Sequence, residues 1–188
     1  MSQNTMNTHN AEMFEYIGKV RAVTLRTTEK LGRRPRFFVQ TFGCQQNEAD
    51  SERLAGIASS MGYEKTDSPQ KAELILVNTC AVREHAERKT LSIIGQYKHI
   101  KEKKPGLVIA VCGCMVGQEH RRNELKMRYP YVDITFPPGS INALPKLLSD
   151  RLGGGKRFFA TEGERPKIVE NIPVYRESKY RAWVSVMY

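Results

Sequence analysis

The sequence predicts an open α/β domain with a mainly parallel sheet of four or more strands and crossover helices. Strand-length apolar segments alternate with helix-length segments between residues 36 and 150. Consecutive parallel strands need connections of about a dozen residues or more, usually helices, and the segments between the predicted strands have that length. With 40% hydrophobic residues, the chain can form a hydrophobic core. Its 188 residues suffice for one domain with flanking segments and are short for two full domains.

The predicted strands are short segments rich in β-branched and aromatic residues, the types that favour a pleated, half-buried surface. They cover residues 37–42, 74–77, 107–111 and 132–136, and a weaker strand covers residues 157–160.

The predicted helices carry apolar residues at helical spacing. Leu54, Ile57 and Met61 illustrate this pattern on the first of them. Pro145 stands near the first turn of the last helix, where proline is tolerated. The four helices are predicted at residues 47–61, 81–103, 118–128 and 142–152.

The flanks of the sheet domain have weaker patterns. Residues 1–35 form an N-terminal extension that is partly helical or disordered, with one weak helix through Met13, Ile17 and Val20. Residues 36–152 form the main domain, and 153–179 a mostly polar connector that starts with three glycines. Residues 180–188 have a strong strand pattern that ends with the chain. Since a strand needs a neighbour, we expect a longer protein.

The charge of the chain is positive but diffuse. Thirty basic and 20 acidic side chains give a formal charge of +10, spread over the whole length without a basic tail. Such a surface favours a polyanion without identifying one. No apolar segment approaches the roughly 18 residues of a membrane span, and residues 1–10 lack the apolar core of a secretion signal. We therefore expect a cytoplasmic protein, working as a monomer.

Three of the four cysteines occupy the same position relative to the predicted strands. Cys44, Cys80 and Cys114 each lie just past the carboxyl end of a strand, one strand-helix-strand unit apart. In an open parallel sheet those ends share one edge, where such folds bind ligands. We therefore expect the three thiols to converge.

Several interpretations of these cysteines remain open. A free cysteine is often a small buried hydrophobe, and disulfides fit poorly with a cytoplasmic chain. A structural zinc usually has four ligands, often in close pairs; here only Cys112 and Cys114 are close, and His85 is a weak candidate for a fourth ligand. Three thiolates suit an iron–sulfur cluster with one iron free of protein ligands. Cys112 ends an apolar strand, which favours a core role.

Two asparagines flank the cysteine loops. The amides of Asn47 and Asn78 could orient thiolates from outside the ligand set, as hydrogen bonds do at many metal sites. Helix capping by Asn47 and a strand-end turn at Asn78 explain them equally well.

Three motifs resemble those of the radical S-adenosylmethionine methylthiotransferases. They are FGCQQN at residues 42–47, NTCAVRE at 78–84 and CGCM at 112–115, in this order and spacing. The resemblance covers residues 36–150. The VRE after the second cysteine and the QxN after the first are most similar to the branch that modifies tRNA.

The resemblance implies a function. In that family this domain holds a 4Fe–4S cluster through cysteines that match Cys44, Cys80 and Cys114, with one iron open to a sulfur co-substrate. A second 4Fe–4S cluster, in the following radical domain, cleaves S-adenosylmethionine. The full enzyme would use a sulfur donor to place a methylthio group on carbon 2 of N(6)-isopentenyladenosine at tRNA position 37, in the anticodon stem-loop.

The chain also departs from the family. It lacks the Cys-x3-Cys-x2-Cys motif of the radical domain, and residues 180–188 resemble the first strand of that domain. We therefore expect no catalytic residues in this fragment and no activity from it alone. The competing hypothesis is a non-catalytic zinc or iron–sulfur module that binds nucleic acid.

Overall fold

A computed structural model describes residues 3–81, 84–159 and 172–176. It describes the side chains of residues 11–81, 87–159 and 172–176. It contains one six-stranded sheet in which every neighbouring pair is parallel, in the order β2-β1-β3-β4-β5-β6. The predicted open α/β fold is therefore confirmed. The strands are β1 (Arg36–Thr41), β2 (Glu64–Lys65), β3 (Leu74–Thr79), β4 (Val108–Gly113), β5 (Ile134–Phe136) and β6 (Phe158–Phe159).

The helices cover both faces of this sheet. They are α1 (Gln3–Leu31), α2 (Gln45–Ser60), α3 (Glu84–Lys103), α4 (Cys114–Gly117), α5 (Glu119–Arg128) and α6 (Leu144–Leu152). Single 3-10 turns form at Pro69–Lys71 and Ile141–Ala143. None of the helices in the described ranges is long and apolar enough to cross a membrane.

The sheet separates two apolar cores. All six residues of β3 and all six of β4 are buried, because helices cover both faces of a parallel sheet. Leu74 and Leu76 face the core beneath α1, α2 and α6. Ile75 and Val77 face the opposite core, which α3, α4 and α5 cover. This two-sided burial explains why these strands are continuous apolar segments.

The N-terminal extension forms one long helix. α1 runs over 29 residues and packs against α6 and α2. Met13, Ile17 and Val20 are buried at helical spacing, as the weak pattern indicated. Thr24 continues the stripe and donates its hydroxyl proton to the carbonyl of Met61 over 2.7 Å. Tertiary packing therefore orders a segment whose sequence predicted only part of a helix.

Two elements differ from the sequence-based expectation. β2 has only two residues and pairs with β1 through backbone hydrogen bonds. A strand this short has no side-chain periodicity that a sequence pattern could show. The predicted helix at 142–152 begins as a 3-10 turn and becomes α-helical at Leu144, with Pro145 in its first turn. The strand predicted at residues 180–188 lies outside the described residues, and only residues 172–176 of the connector after residue 159 are described.

One buried and one half-buried carboxylate connect the amino ends of the central strands. Asp133, just before β5, accepts hydrogen bonds from Lys101 over 2.7 Å, Arg151 over 2.9 Å and the backbone N–H of Ile109 over 2.9 Å. Glu73, just before β3, pairs in the same way with Arg33 and Lys104. These contacts hold the edge of the sheet opposite the cysteines, which leaves the carboxyl edge for a site.

Candidate metal centre

The strands bring Cys44, Cys80 and Cys114 to one edge of the sheet. Cys44 lies between β1 and α2, Cys80 follows β3 directly, and Cys114 follows β4 as the first residue of α4. β1, β3 and β4 are adjacent and parallel, so their carboxyl ends share an edge. The strand order reverses between β1 and β3, and open α/β sheets bind ligands at such a crevice. Cys44 and Cys80 flank that point.

The three thiols differ in exposure but influence one another. Cys44 and Cys114 are exposed, whereas Cys80 is buried. Partial burial raises the pKa of Cys114, and the neighbouring thiols of Cys80 and Cys44 raise it further. Within the described ranges, no three His, Cys, Asp or Glu side chains are grouped closely enough to hold one metal ion. The pKa of Cys114 shows that the three thiols lie near enough to interact electrostatically.

Glycines let the cysteine loops pack against one another. Gly43 has a φ of +129°, and a Cβ there would lie 2.5 Å from the Cβ of Cys80. Gly113 has a φ of +97°, and a Cβ there would lie 2.2 Å from the carbonyl oxygen of Thr79. Both the left-handed backbone and the missing side chain are therefore required. The glycines beside Cys44 and Cys114 bring their loops against the end of β3.

Asn47 connects the first two of these loops. Its Oδ1 accepts the backbone N–H of Cys44 over 3.2 Å and lies 3.4 Å from the sulfur of Cys44. Its Nδ2 donates to the carbonyl of Thr79 over 3.0 Å. Asn47 is the third residue of α2 and takes part in a capping box with Cys44. Capping and orientation of the thiol are thus two results of one conformation.

Asn78 completes the connection from β3. Its Nδ2 donates to the carbonyl of Asn47 over 2.8 Å and to the hydroxyl of Ser51 over 3.1 Å. Its Oδ1 accepts a proton from Asn47 over 3.1 Å. Asn78 is paired within the sheet with Thr41 and Cys112, so it is a strand residue and not part of a turn. Both asparagines are almost fully buried, which makes their hydrogen bonds obligatory.

Cys112 is a core residue in this structure. Its side chain is 3% exposed and belongs to the apolar cluster beneath α1, α2 and α6. Burial raises the pKa of its thiol far above the usual range. This burial in an apolar cluster agrees with the core role that the sequence favours for Cys112. The side chain of His85 lies outside the described residues.

The structure adds polar residues that sequence reasoning missed. Thr41 donates to Ser51 over 2.8 Å, and Thr79 donates to the carbonyl of Cys112 over 2.5 Å. A signal was available for Ser51: it lies on the buried face of α2 with Asn47, Leu54 and Ala58, at spacings of one helical turn. Polar residues that continue an apolar stripe indicate a buried network.

Comparison with known proteins identifies the family of this chain. Residues 36–137 match the uncharacterized protein family UPF0004. The chain is also similar to proteins named tRNA-2-methylthio-N(6)-dimethylallyladenosine synthase. It is 44% identical to that of Natranaerobius thermophilus over 86% of this chain and 36% of the relative. It is 41% identical to that of Oceanobacillus iheyensis, over 85% of this chain and 31% of the relative. It is 43% identical to that of Halalkalibacterium halodurans, over 84% of this chain and 29% of the relative.

The chain thus spans about a third of the length of these curated relatives, in their N-terminal part. The matched range contains all three cysteine motifs, which confirms the resemblance stated from them. This chain belongs to the family UPF0004, and it matches the N-terminal part of the synthases named above.

Proposed function

We propose that this chain is the cluster-binding domain of a tRNA methylthiotransferase, with Cys44, Cys80 and Cys114 as the ligands of a 4Fe–4S cluster. The observation that supports this most strongly is positional. Three thiols follow three adjacent parallel strands, on both sides of the point where the strand order reverses.

The donor set fits the proposed group. Three cysteine sulfurs suit iron–sulfur chemistry, and a cluster places its ligands around a body of several atoms, not around one ion. The thiols of Cys44 and Cys80 are near enough to Cys114 to raise its pKa, as expected of ligands around one body. When bound, the group would supply an iron without a protein ligand, to which a sulfur co-substrate binds.

The chain's own residues would hold and orient the ligands. Asn47 fixes the backbone of Cys44 and joins it to the carbonyl of Thr79, next to Cys80. Asn78 secures Asn47 from the opposite side. Such surrounding hydrogen bonds tune metal affinity and redox behaviour. We assign Asn47 and Asn78 this supporting role, and Cys112 a role in the core.

The reaction would require more than this chain. The aligned part of this chain covers only 36%, 31% and 29% of the named relatives. We propose that the remainder holds S-adenosylmethionine and a second 4Fe–4S cluster, and that the whole enzyme methylthiolates carbon 2 of N(6)-isopentenyladenosine in tRNA. A net charge of +10 supports a polyanionic substrate. This chain alone should leave tRNA unmodified.

Anaerobic reconstitution with iron and sulfide tests the ligand set. The wild-type chain should bind about four irons and four sulfides. Cys44→Ala, Cys80→Ala and Cys114→Ala should each lose most of that iron. Cys112→Ala is the matched control, because it removes a thiol from the same segment without removing a proposed ligand. An equal loss of iron in Cys112→Ala would overturn the assignment. Stoichiometric zinc in the protein as purified, before reconstitution, would instead support the non-catalytic module.

Incubation with tRNA tests whether the reaction requires more than this chain. The reconstituted chain, with S-adenosylmethionine and a reductant, should give no methylthio nucleoside by mass spectrometry of digested tRNA. Formation of that product by the 188-residue chain would contradict the proposal that the radical chemistry belongs to a further domain.

A further inference from the structure

A segment that is distant in sequence packs against α2. Residues 172–176 lie against this helix, and the carbonyl of Pro173 approaches the backbone at Gly56. A Cβ at Gly56 would lie 2.0 Å from that carbonyl oxygen, which is far inside van der Waals contact. The absence of a side chain at Gly56 therefore creates the space in which the segment lies.

Glu52, one turn earlier on α2, holds the same segment by polar contacts. Its backbone carbonyl accepts the N–H of Tyr175 over 2.9 Å, and its carboxylate accepts the guanidinium of Arg176 over 2.5 Å. Glu52 is only 8% exposed. A carboxylate buried to this degree needs a charged or hydrogen-bonding partner, and Arg176 supplies one.

Apolar and aromatic contacts extend the interface at both ends of the segment. Ile172 packs against the core beneath α2. The ammonium group of Lys65 lies 5.5 Å from the centre of the Tyr175 ring, within the range of a cation–π contact. The segment is therefore held by steric fit, by two hydrogen bonds and by packing.

The position of the contact relates it to the candidate metal centre. Glu52 and Gly56 are on the helix that begins directly after Cys44. Along an α-helix, the eight residues from Cys44 to Glu52 correspond to about 12 Å. Arg176 is thus fixed about that far along α2 from the first cysteine loop.

We propose that Gly56 and Glu52 form a docking site for the chain's own segment 172–176 and act as positioning residues. Docking sets the place from which the chain continues beyond residue 176, relative to the Cys44 loop. This rests on the proposed function, in which a further domain must meet sulfur delivered at that loop. The partner is a mainly apolar segment of the same chain, Ile172 to Arg176, that ends in a tyrosine and in a cation that pairs with Glu52.

Hydrogen exchange tests the docking in the 188-residue chain. Gly56→Ala improves helix propensity yet blocks the approach of Pro173, so it should release the segment while preserving α2. The amide of Tyr175 should exchange about tenfold faster, as expected when one backbone hydrogen bond is lost. Gly95→Ala is the matched control, since a Cβ at this other helical glycine meets nothing within 4 Å. Unchanged exchange at Tyr175 in Gly56→Ala overturns the docking.

Glu52→Gln provides a second variant that retains the backbone acceptor and removes only the charge. It should weaken the contact with Arg176 and raise exchange at Tyr175 by about threefold, within the range for one partly exposed ion pair. No change in this variant, together with no change in Gly56→Ala, would show that the segment is not held at this site.

The positioning role requires the longer enzyme. In that enzyme, Gly56→Ala should lower the rate of tRNA methylthiolation by about tenfold or more, the scale expected when reacting groups are misplaced. Its iron content and its KM for tRNA should stay at the wild-type values. Full activity with a released segment overturns the positioning role. If the reconstituted wild-type protein binds no iron, the proposed function is refuted. The two failures are therefore distinguishable.

Discussion

Asn47 and Asn78 hydrogen-bond to each other in both directions beneath the cysteine loops. The side chain of Asn47 donates to the side chain of Asn78 over 3.1 Å, and the side chain of Asn78 donates to the backbone of Asn47 over 2.8 Å. One residue belongs to the first turn of α2 and the other to β3. This reciprocal pair fixes the spacing between the loops of Cys44 and Cys80.

Asn47→Ala should therefore destabilise the chain by about 2–3 kcal/mol, because buried partners lose their donor and acceptor. Urea unfolding at neutral pH measures this. Gln46→Ala is the control: the neighbouring residue is exposed, so its loss should cost less than about 0.5 kcal/mol. Equal costs for the two variants would show that the network contributes no special stability.

Gly113→Ala should destabilise the chain by about 2–4 kcal/mol, because it combines a strained φ with a clash against the backbone of Thr79. Relief of the clash moves the loop of Cys114 away from Cys80, so the iron content after reconstitution should fall as well. Thermal unfolding and iron analysis measure the two effects. Gly106→Ala, where a Cβ meets nothing within 4 Å, should change neither value.

Glu73 should make stability depend on pH. Burial by itself raises the pKa of Glu73, but hydrogen bonds from Arg33, the backbone of Arg36 and Lys104 outweigh it, so the pKa lies below 4.5. A carboxylate with a depressed pKa stabilises the folded state above its unfolded pKa, and that contribution disappears as the pH falls through the folded pKa.

Wild-type protein should therefore exceed Glu73→Gln in urea midpoint at pH 7, and the difference should shrink below pH 4.5. Glu64→Gln removes an exposed partner of Arg36 and should have little effect at any pH. A difference between wild type and Glu73→Gln that stays constant across the pH range would contradict the assignment.

Thiol labelling should divide the cysteines by exposure. In the metal-free chain, a maleimide should modify the exposed Cys44 and Cys114 faster than the buried Cys80 and Cys112, although the raised pKa of Cys114 slows its reaction. Mass spectrometry of peptides identifies the modified residues over time. Denaturation in urea should make all four react alike. Rapid labelling of Cys112 in the folded chain would contradict its place in the core.

Much of the fold was predictable because its signals are local. The apolar segments that became β1, β3, β4 and β5 are detectable by composition, and the connecting helices by their spacing of apolar residues. β2 was not predictable, since its two residues pair only through backbone groups. The length of α1 also escaped prediction, because packing against α6 orders residues without an apolar pattern.

The candidate site shows the same division. Cysteines placed after successive strands predicted a shared edge, and the parallel sheet provides it. The hydroxyls of Thr41 and Ser51 could not be assigned from sequence, since their meeting depends on how α2 lies across β1. The contact of Gly56 with Pro173 joins positions more than a hundred residues apart, and no local pattern indicates it.

From the sequence we could predict the alternation of strands and helices, the family, and which cysteines stand at strand ends. Those properties depend on composition and spacing along the chain. The packed fold was needed to show that Cys112 is buried in the core, that Asn47 and Asn78 hydrogen-bond reciprocally, and that Glu52 binds Arg176. Burial and hydrogen bonding depend on which distant groups meet, and only the packed fold brings those groups together.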